Sequence, residues 1–311
     1  MISIFPIILN QLIQFFIMLL IGYLAARKSI LSEKFLSGLS LLIMRVLMPI
    51  LIFANAMNGT SADQLIASYP ILFLSLGMYL SLIIVFYIAA KLLRLPGETG
   101  RVYQASMIFG NAGFIGIPLI MAVFPDKGAI YIALMSIIDQ IFMWTYGLFL
   151  TTPQQKGASF SLKNFCNPAL YAVALALFCL LGGISIPTAA EHALLSVGYA
   201  TTPLSLIYLG GLIYFCNWKP VLLQKELYIG IVLKLVLFPL LYFAIASKLC
   251  SDSDMVSTMA LIAALPTMTI IAMFAQAHSA DPAAGNYALG MVLLTTMASL
   301  FTLSLVSYLI F

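Results

Sequence analysis

Gly110-Asn111-Ala112-Gly113-Phe114-Ile115-Gly116-Ile117-Pro118 places three glycines, an asparagine and a proline within nine residues of an otherwise apolar run. A proline removes a backbone donor and clashes with the preceding turn. Each glycine weakens a helix by about 1 kcal/mol relative to alanine, so a continuous helix is not expected here. Far along the chain, Ala263-Ala264-Leu265-Pro266-Thr267 sets another proline among small residues. A half-helix that starts at such a break points free N–H groups and a positive dipole end at its surroundings, which suits a carboxylate. The freed carbonyls of the opposing half suit a cation or a substrate's donors. Asn111 adds an amide that both donates and accepts. Asn111, Gly113, Ile117, Pro118, Leu265, Pro266 and Thr267 are the candidate binding residues.

Four further polar groups interrupt apolar segments: Arg45, Asp139, Gln140 and Lys234. An ionisable group inside hydrocarbon is expensive and marks a functional hypothesis. Arg45 and Lys234 stand where their long stems can reach a membrane surface, so anchoring or a structural ion pair explains them as well as chemistry does. Asp139 is too short for that and must be paired, protonated or turned to a cavity. It is the candidate for proton or cation coupling. Asn55, Gln104 and Gln276 are weaker candidates, each adequately explained by hydrogen bonds between helices.

Several chemistries are excluded or unsupported. The four cysteines (Cys166, Cys179, Cys216, Cys250) and two histidines (His192, His278) are scattered, whereas metal sites and disulfide frameworks need clustered ligands. No GxxxxGK[ST] loop is present, so the chain does not itself hydrolyse nucleotide in that manner. No nucleophile and base are paired in a way that suggests an enzyme. No cofactor and no nucleic-acid partner are expected.

The elements that must position these groups are membrane helices. The chain is 63% hydrophobic and 8% charged, too few charges to solvate a globular surface when soluble domains carry about a quarter. Apolar runs of roughly 20 residues match the hydrocarbon thickness, and they do not alternate as barrel strands would. The expected spans are 4–25, 34–56, 69–93, 101–124, 127–150, 167–186, 192–215, 227–248, 256–277 and 285–310. The polar stretch 151–166 links a first half, 1–150, to a second, 167–311, with five helices in each. Ten of the fourteen Lys and Arg fall in loops after the first, third, fifth and seventh spans. Basic loops favour the cytoplasm. That places both termini outside and the 151–166 loop inside. The N-terminus has no basic n-region and its apolar run exceeds a signal h-region, so the first span is expected to stay in the mature protein. Five helices is an odd number, so two related halves would have to be inverted, the arrangement secondary transporters use for alternating access. Broken segments in corresponding places, the fourth and the ninth, are the sequence pointer to a binding site in such a carrier.

These segments resemble the auxin efflux carrier family, which includes bacterial malonate and malate permease-like members and the plant PIN-FORMED carriers. The matching stretches are Gly110-Asn111 with Gly116-Ile117-Pro118-Leu119, Ala263-Ala264-Leu265-Pro266 with Phe274-Ala275, and Pro49-Ile50-Leu51-Ile52-Phe53. Asn167-Pro168, Pro203-Leu204-Ser205-Leu206 and Pro239 follow in the family's order. The resemblance implies an all-α polytopic protein of ten helices in two inverted five-helix repeats. Its helices 1, 2, 6 and 7 would form a scaffold that also dimerises. Helices 3–5 and 8–10 would form a transport domain, with helices 4 and 9 crossing at Pro118 and Pro266. It implies elevator-like movement with an organic anion near the crossing, the site asparagine mapping onto Asn111. The long central hydrophilic loop of the plant carriers is missing here, which favours a small mono- or dicarboxylate over auxin. The family's architectural likeness to sodium-coupled bile acid carriers leaves sodium and protons both open as the coupling ion. An intramembrane lipid environment in a bacterial inner membrane completes the expectation. An auxin-like aromatic carboxylate carrier, a channel or a ligand-sensing receptor are the alternatives.

Overall fold

A computed structural model describes residues 4–58, 62–152, 168–278 and 282–311. They are helical, with no strand among the described residues beyond one isolated bridge, Gly110 to Thr267. Among the described residues, seven helices are long and apolar enough to cross a membrane. They are α1 (Ile4–Arg27), α2 (Glu33–Met57), α3 (Pro70–Leu92), α5 (Gly128–Thr151), α7 (Thr188–Phe215), α8 (Lys225–Leu249) and α10 (Pro282–Ile310). Between them lie three segments of shorter helices. The first is a broken pair, α4a (Gly97–Ile108) and α4b (Ala112–Val123), and the second is α6 (Pro168–Leu181). The third is another broken pair, α9a (Ser253–Ala263) and α9b (Thr269–His278). Most of the expected linker lies outside the described residues, which resume at Pro168.

Local chemistry sets the helix ends. The Ser32 hydroxyl caps α2 by accepting from the Phe35 N–H, and the Asp252 carboxylate caps α9a by accepting from Asp254 and Met255. These satisfy donors that the first helical turn leaves free. The sixth helix was expected to run to 186 but stops at Leu181. Gly183 there adopts a left-handed φ of +63° and the chain turns back through an Ile184 N–H to Cys179 carbonyl bond, a glycine-dependent stop.

Prolines act inside the helices too. Three π turns, Ile43–Leu47, Ala112–Gly116 and Leu233–Leu237, end two residues before Pro49, Pro118 and Pro239. In each, the residue before the proline donates five residues back: Met48 to Ile43, Ile117 to Ala112 and Phe238 to Leu233. The proline has no N–H to offer the carbonyl four residues earlier, so the turn widens. Two of these turns carry the intramembrane cations Arg45 and Lys234, and π turns often mark functional positions.

Packing sorts the helices into two groups. In the first, α1 lies along the Thr201–Phe215 half of α7, and the second half of α2 packs on α6 and on the Thr188–Tyr199 half of α7. A Cβ on Gly22 would collide with the Ile207 backbone and one on Gly210 with that of Leu19, so glycine is what lets α1 and α7 touch backbone to backbone. In the second group α3 packs on α4a, α5 and α9a, while α10 packs on α4a, α8 and α9b. The groups meet where α1 touches α4b and α10, and where α2 and α6 touch α5. Outside the membrane segments, Lys127 pairs with Asp254 at 2.9 Å, joining the α4b–α5 turn to the start of α9a. That hydrogen bond raises the Lys127 ammonium above its ordinary pKa.

Candidate functional site

The two breaks meet back to back. The Asn111 N–H donates to the Pro266 carbonyl at 2.7 Å, and the Met268 N–H donates to the Phe109 carbonyl at 2.9 Å. Gly110 and Thr267 thus form a one-rung antiparallel bridge inside the helical bundle. Unwound backbone at membrane depth must find partners within the protein, and each break supplies them to the other. The Thr267 hydroxyl donates to the Ser106 carbonyl in the last turn of α4a at 2.8 Å, and the Thr267 N–H donates to the Thr295 hydroxyl of α10 at 3.0 Å. Small residues permit the approach: a Cβ on Gly116 would stand 2.8 Å from Leu265 Cδ1, and one on Gly110 3.2 Å from the Ile262 carbonyl oxygen.

Asn111 sits at the centre and is fully buried. Its Oδ1 accepts from the Phe114 N–H at 3.3 Å, capping the turn that begins α4b. Among the described residues its Nδ2 has no hydrogen-bond partner, and the same holds for the buried hydroxyls of Ser106 and Thr269. Buried polar atoms are nearly always paired, so three unused groups on the elements that form the crossing are what a ligand or bound water would use. Gly113, Ile117, Leu265, Pro266 and Thr267 are buried at or beside this crossing, and Pro118 is half-buried one turn into α4b.

The membrane charges are not all brought to one place. Asp139 of α5 is buried and accepts from the Tyr79 hydroxyl of α3 and from Gln140 Nε2, the latter at 3.0 Å. Trp144 Nε1 donates to Gln140 Oε1 at 3.0 Å, closing a chain of four side chains. The Tyr79 ring lies 5.9 Å from that of Phe109, and the Trp144 ring 5.1 Å from that of Phe274 in α9b. The network therefore abuts both broken helices without entering the crossing. Lys234 is fully buried, and its Nζ donates to the Met107 carbonyl in the last turn of α4a at 2.8 Å. Arg45 is exposed on α2 and stands apart from these groups. Among the described residues, no cluster of His, Cys, Asp and Glu could hold a metal ion.

Tyr79, Trp144, Ser106 and Thr295 were not singled out from the sequence. Tyr79 and Trp144 are single polar tips in apolar helices, Ser106 is one of several polar residues in α4a, and only the adjacent Thr295-Thr296 pair in the middle of α10 stands out as a local signal.

The sequence of a curated relative, an uncharacterized transporter of Methanocaldococcus jannaschii, is 24% identical over 204 residues, 62% of this chain and 65% of the relative's length. The model of the membrane transport protein family matches residues 7–161 and again 157–307, meeting in the central linker and covering nearly the whole chain. The chain belongs to this membrane transport protein family, that of the auxin efflux carriers.

Proposed function

We propose that the protein is a secondary active transporter that carries a small organic anion, a mono- or dicarboxylate of the malonate or malate kind, across a bacterial cytoplasmic membrane. The observation that carries this reading is the crossing itself: two proline-broken helices joined at Gly110 and Thr267, with the Asn111 amide nitrogen buried and unused beside them. A donor amide and positive half-helix ends favour a carboxylate.

The seven long helices with α4, α6 and α9 would make ten crossings in two inverted repeats, 1–150 and 167–311. The first packing group would serve as scaffold and dimer contact through α1, α2, α6 and α7. The second would move against it as an elevator, carrying the crossing from one face of the membrane to the other. Asp139, held by Tyr79 and Gln140 with no cation bonded to it among the described residues, would exchange a proton or a sodium ion during the cycle. Both termini would lie outside.

The test is flux of radiolabelled malonate and malate into proteoliposomes under an imposed proton gradient or an imposed sodium gradient. Saturable uptake driven by one gradient is expected. The absence of flux for any mono- or dicarboxylate under either gradient sinks the proposal, and unsaturable flux far above carrier turnover would make the protein a channel.

A further inference from the structure

Asn55 is a buried amide that no described residue bonds. It lies in the second half of α2, is 3% exposed, and among the described residues neither its Nδ2 nor its Oδ1 has a hydrogen-bond partner. Leaving both ends of a buried amide unpaired is costly, and a leucine would fill the place without that cost. An unpaired group kept in a packed interface calls for a second state in which it is paired.

Its position says what that state is. Residues 48–57 form a regular α-helix, so Met48, Ile52 and Asn55, at spacings of four and three, share one face. Met48 touches the crossing: a Cβ on Gly113 would stand 2.9 Å from Met48 Cε. Farther along the same side, Ile52 and Ala56 border a narrow apolar cavity against Ala133 of α5. Asn55 thus lies two turns beyond the present contact of the crossing, about 10 Å along α2 at 1.5 Å per residue, on the part of α2 that is closed against α5 and α6.

The other end of the interface is open. A cleft of about 340 Å³ separates Glu33 and Ser37 of α2 and Tyr208 of α7 from Asn286 and Leu289 of α10. It sits at the end that carries Arg27, Lys28, Lys34, Lys219 and Lys225. Open at the basic end and shut at the Asn55 end, the arrangement is that of a carrier facing the cytoplasm.

We propose that Asn55 is a scaffold contact for the substrate in the opposite, outward-facing state: when the crossing slides about two turns along α2, the Asn55 amide meets the anion or its hydrating water. This rests on the carrier reading above and adds a residue on the stationary group, a place on the path and a side of the membrane.

Two measurements test it. With the four native cysteines replaced by serine, Asn55→Cys is treated with a membrane-impermeant maleimide in right-side-out and in inside-out vesicles. Labelling from the outer face alone is expected. No labelling from that face, or equal labelling from both, overturns the proposal. In the native-cysteine background, Asn55→Leu is expected to raise the KM for malonate at the outer face about three- to tenfold, the equivalent of one hydrogen bond, with the inner-face KM unchanged. An equal rise on both faces, or none, overturns it. If the unmutated protein moves no malonate, the substrate class above has failed, and the labelling result still decides the role of Asn55.

Discussion

The Asn111 N–H is bonded to the carbonyl of Pro266, 155 residues away in the chain, at 2.7 Å. This bond and its neighbour from Met268 to Phe109 turn two liabilities into one device. Each broken helix exposes backbone that hydrocarbon cannot satisfy, and each satisfies the other's. The backbone that is used up in this way ties the two breaks together, while among the described residues the Asn111 amide nitrogen and the Ser106 and Thr269 hydroxyls stay unspent for a ligand.

Substitutions at Asn111 are expected to separate holding the fold from holding the substrate. Asn111→Ala removes both the Oδ1 that caps Phe114 and the free Nδ2, so it lowers stability by about 1 kcal/mol, the usual worth of a cap, and abolishes anion binding. Asn111→Asp keeps the capping oxygen, loses the donor and adds a charge that repels an anion. It is expected to unfold at a midpoint at or above that of Asn111→Ala while binding no malonate. Thermal unfolding with and without malonate reads both effects, because a ligand that binds the native state raises the midpoint. Binding retained by Asn111→Asp would remove the amide nitrogen from the site.

The hydroxyls of Thr267 and Thr295 act as a unit. Thr267→Val takes the hydroxyl donor from the Ser106 carbonyl, and Thr295→Val leaves the buried Thr267 N–H without its acceptor. Each is expected to cost about 1–3 kcal/mol, the penalty for a buried polar group left unmade. The double variant should cost less than the sum, since both changes loosen the same backbone segment. Strict additivity in a double-mutant cycle would show that the two bonds are independent.

The sequence made the break at Gly110–Pro118 legible because glycine and proline act locally: their effect on a helix needs no knowledge of what lies beside it. The ends of the broken helix were less legible. The fourth segment was expected to begin at 101, but α4a starts at Gly97, where Pro96 in an extended conformation and Glu98 in the first turn open it. Partners of the buried charges were beyond reach. Tyr79 and Asp139 are 60 residues apart, and Met107 and Lys234 are 127 apart, so their pairing is a product of helix packing. The proline-linked π turns follow from a single missing N–H, yet which proline widens a turn and which merely starts a helix depends on the neighbours that fill the gap. Asn55 illustrates the same limit. Its residue type suggests a bond between helices, and among the described residues the packing supplies none.

Asp139→Asn is expected to uncouple transport without stopping it. The change keeps an oxygen for the Tyr79 hydroxyl, removes the charge and faces Gln140 with a second donor in place of an acceptor. A modest loss of stability, about 1 kcal/mol, follows from the lost bond. Exchange of internal for external malonate should persist, because it needs only movement of the loaded carrier. Accumulation against a gradient should be lost, because no proton or ion is carried with the substrate. Unchanged accumulation in proteoliposomes would exclude Asp139 from coupling.

Lys234 supplies the most discriminating prediction, because its effect depends on charge rather than shape. Its ammonium stands at the carbonyl end of α4a, the negative end of that half-helix, bonded to Met107 four residues before Asn111. The chain between them leaves the helix at Ile108 and is extended at Phe109, and four residues span from about 6 Å as helix to about 13 Å fully extended, so the cation lies on the order of 10 Å from an anion held at Asn111. At that separation and an effective dielectric of about 20 the attraction is roughly 1.7 kcal/mol per unit charge, more than tenfold in affinity. Lys234→Met preserves the length and apolar stem of the side chain and removes the charge. It is expected to weaken binding of malonate dianion by about twice the free energy that it costs the singly charged monomethyl ester, since the attraction scales with ligand charge. A purely structural disturbance of α4a would weaken both ligands alike, and thermal-shift titrations of the two ligands against the same variant distinguish these outcomes.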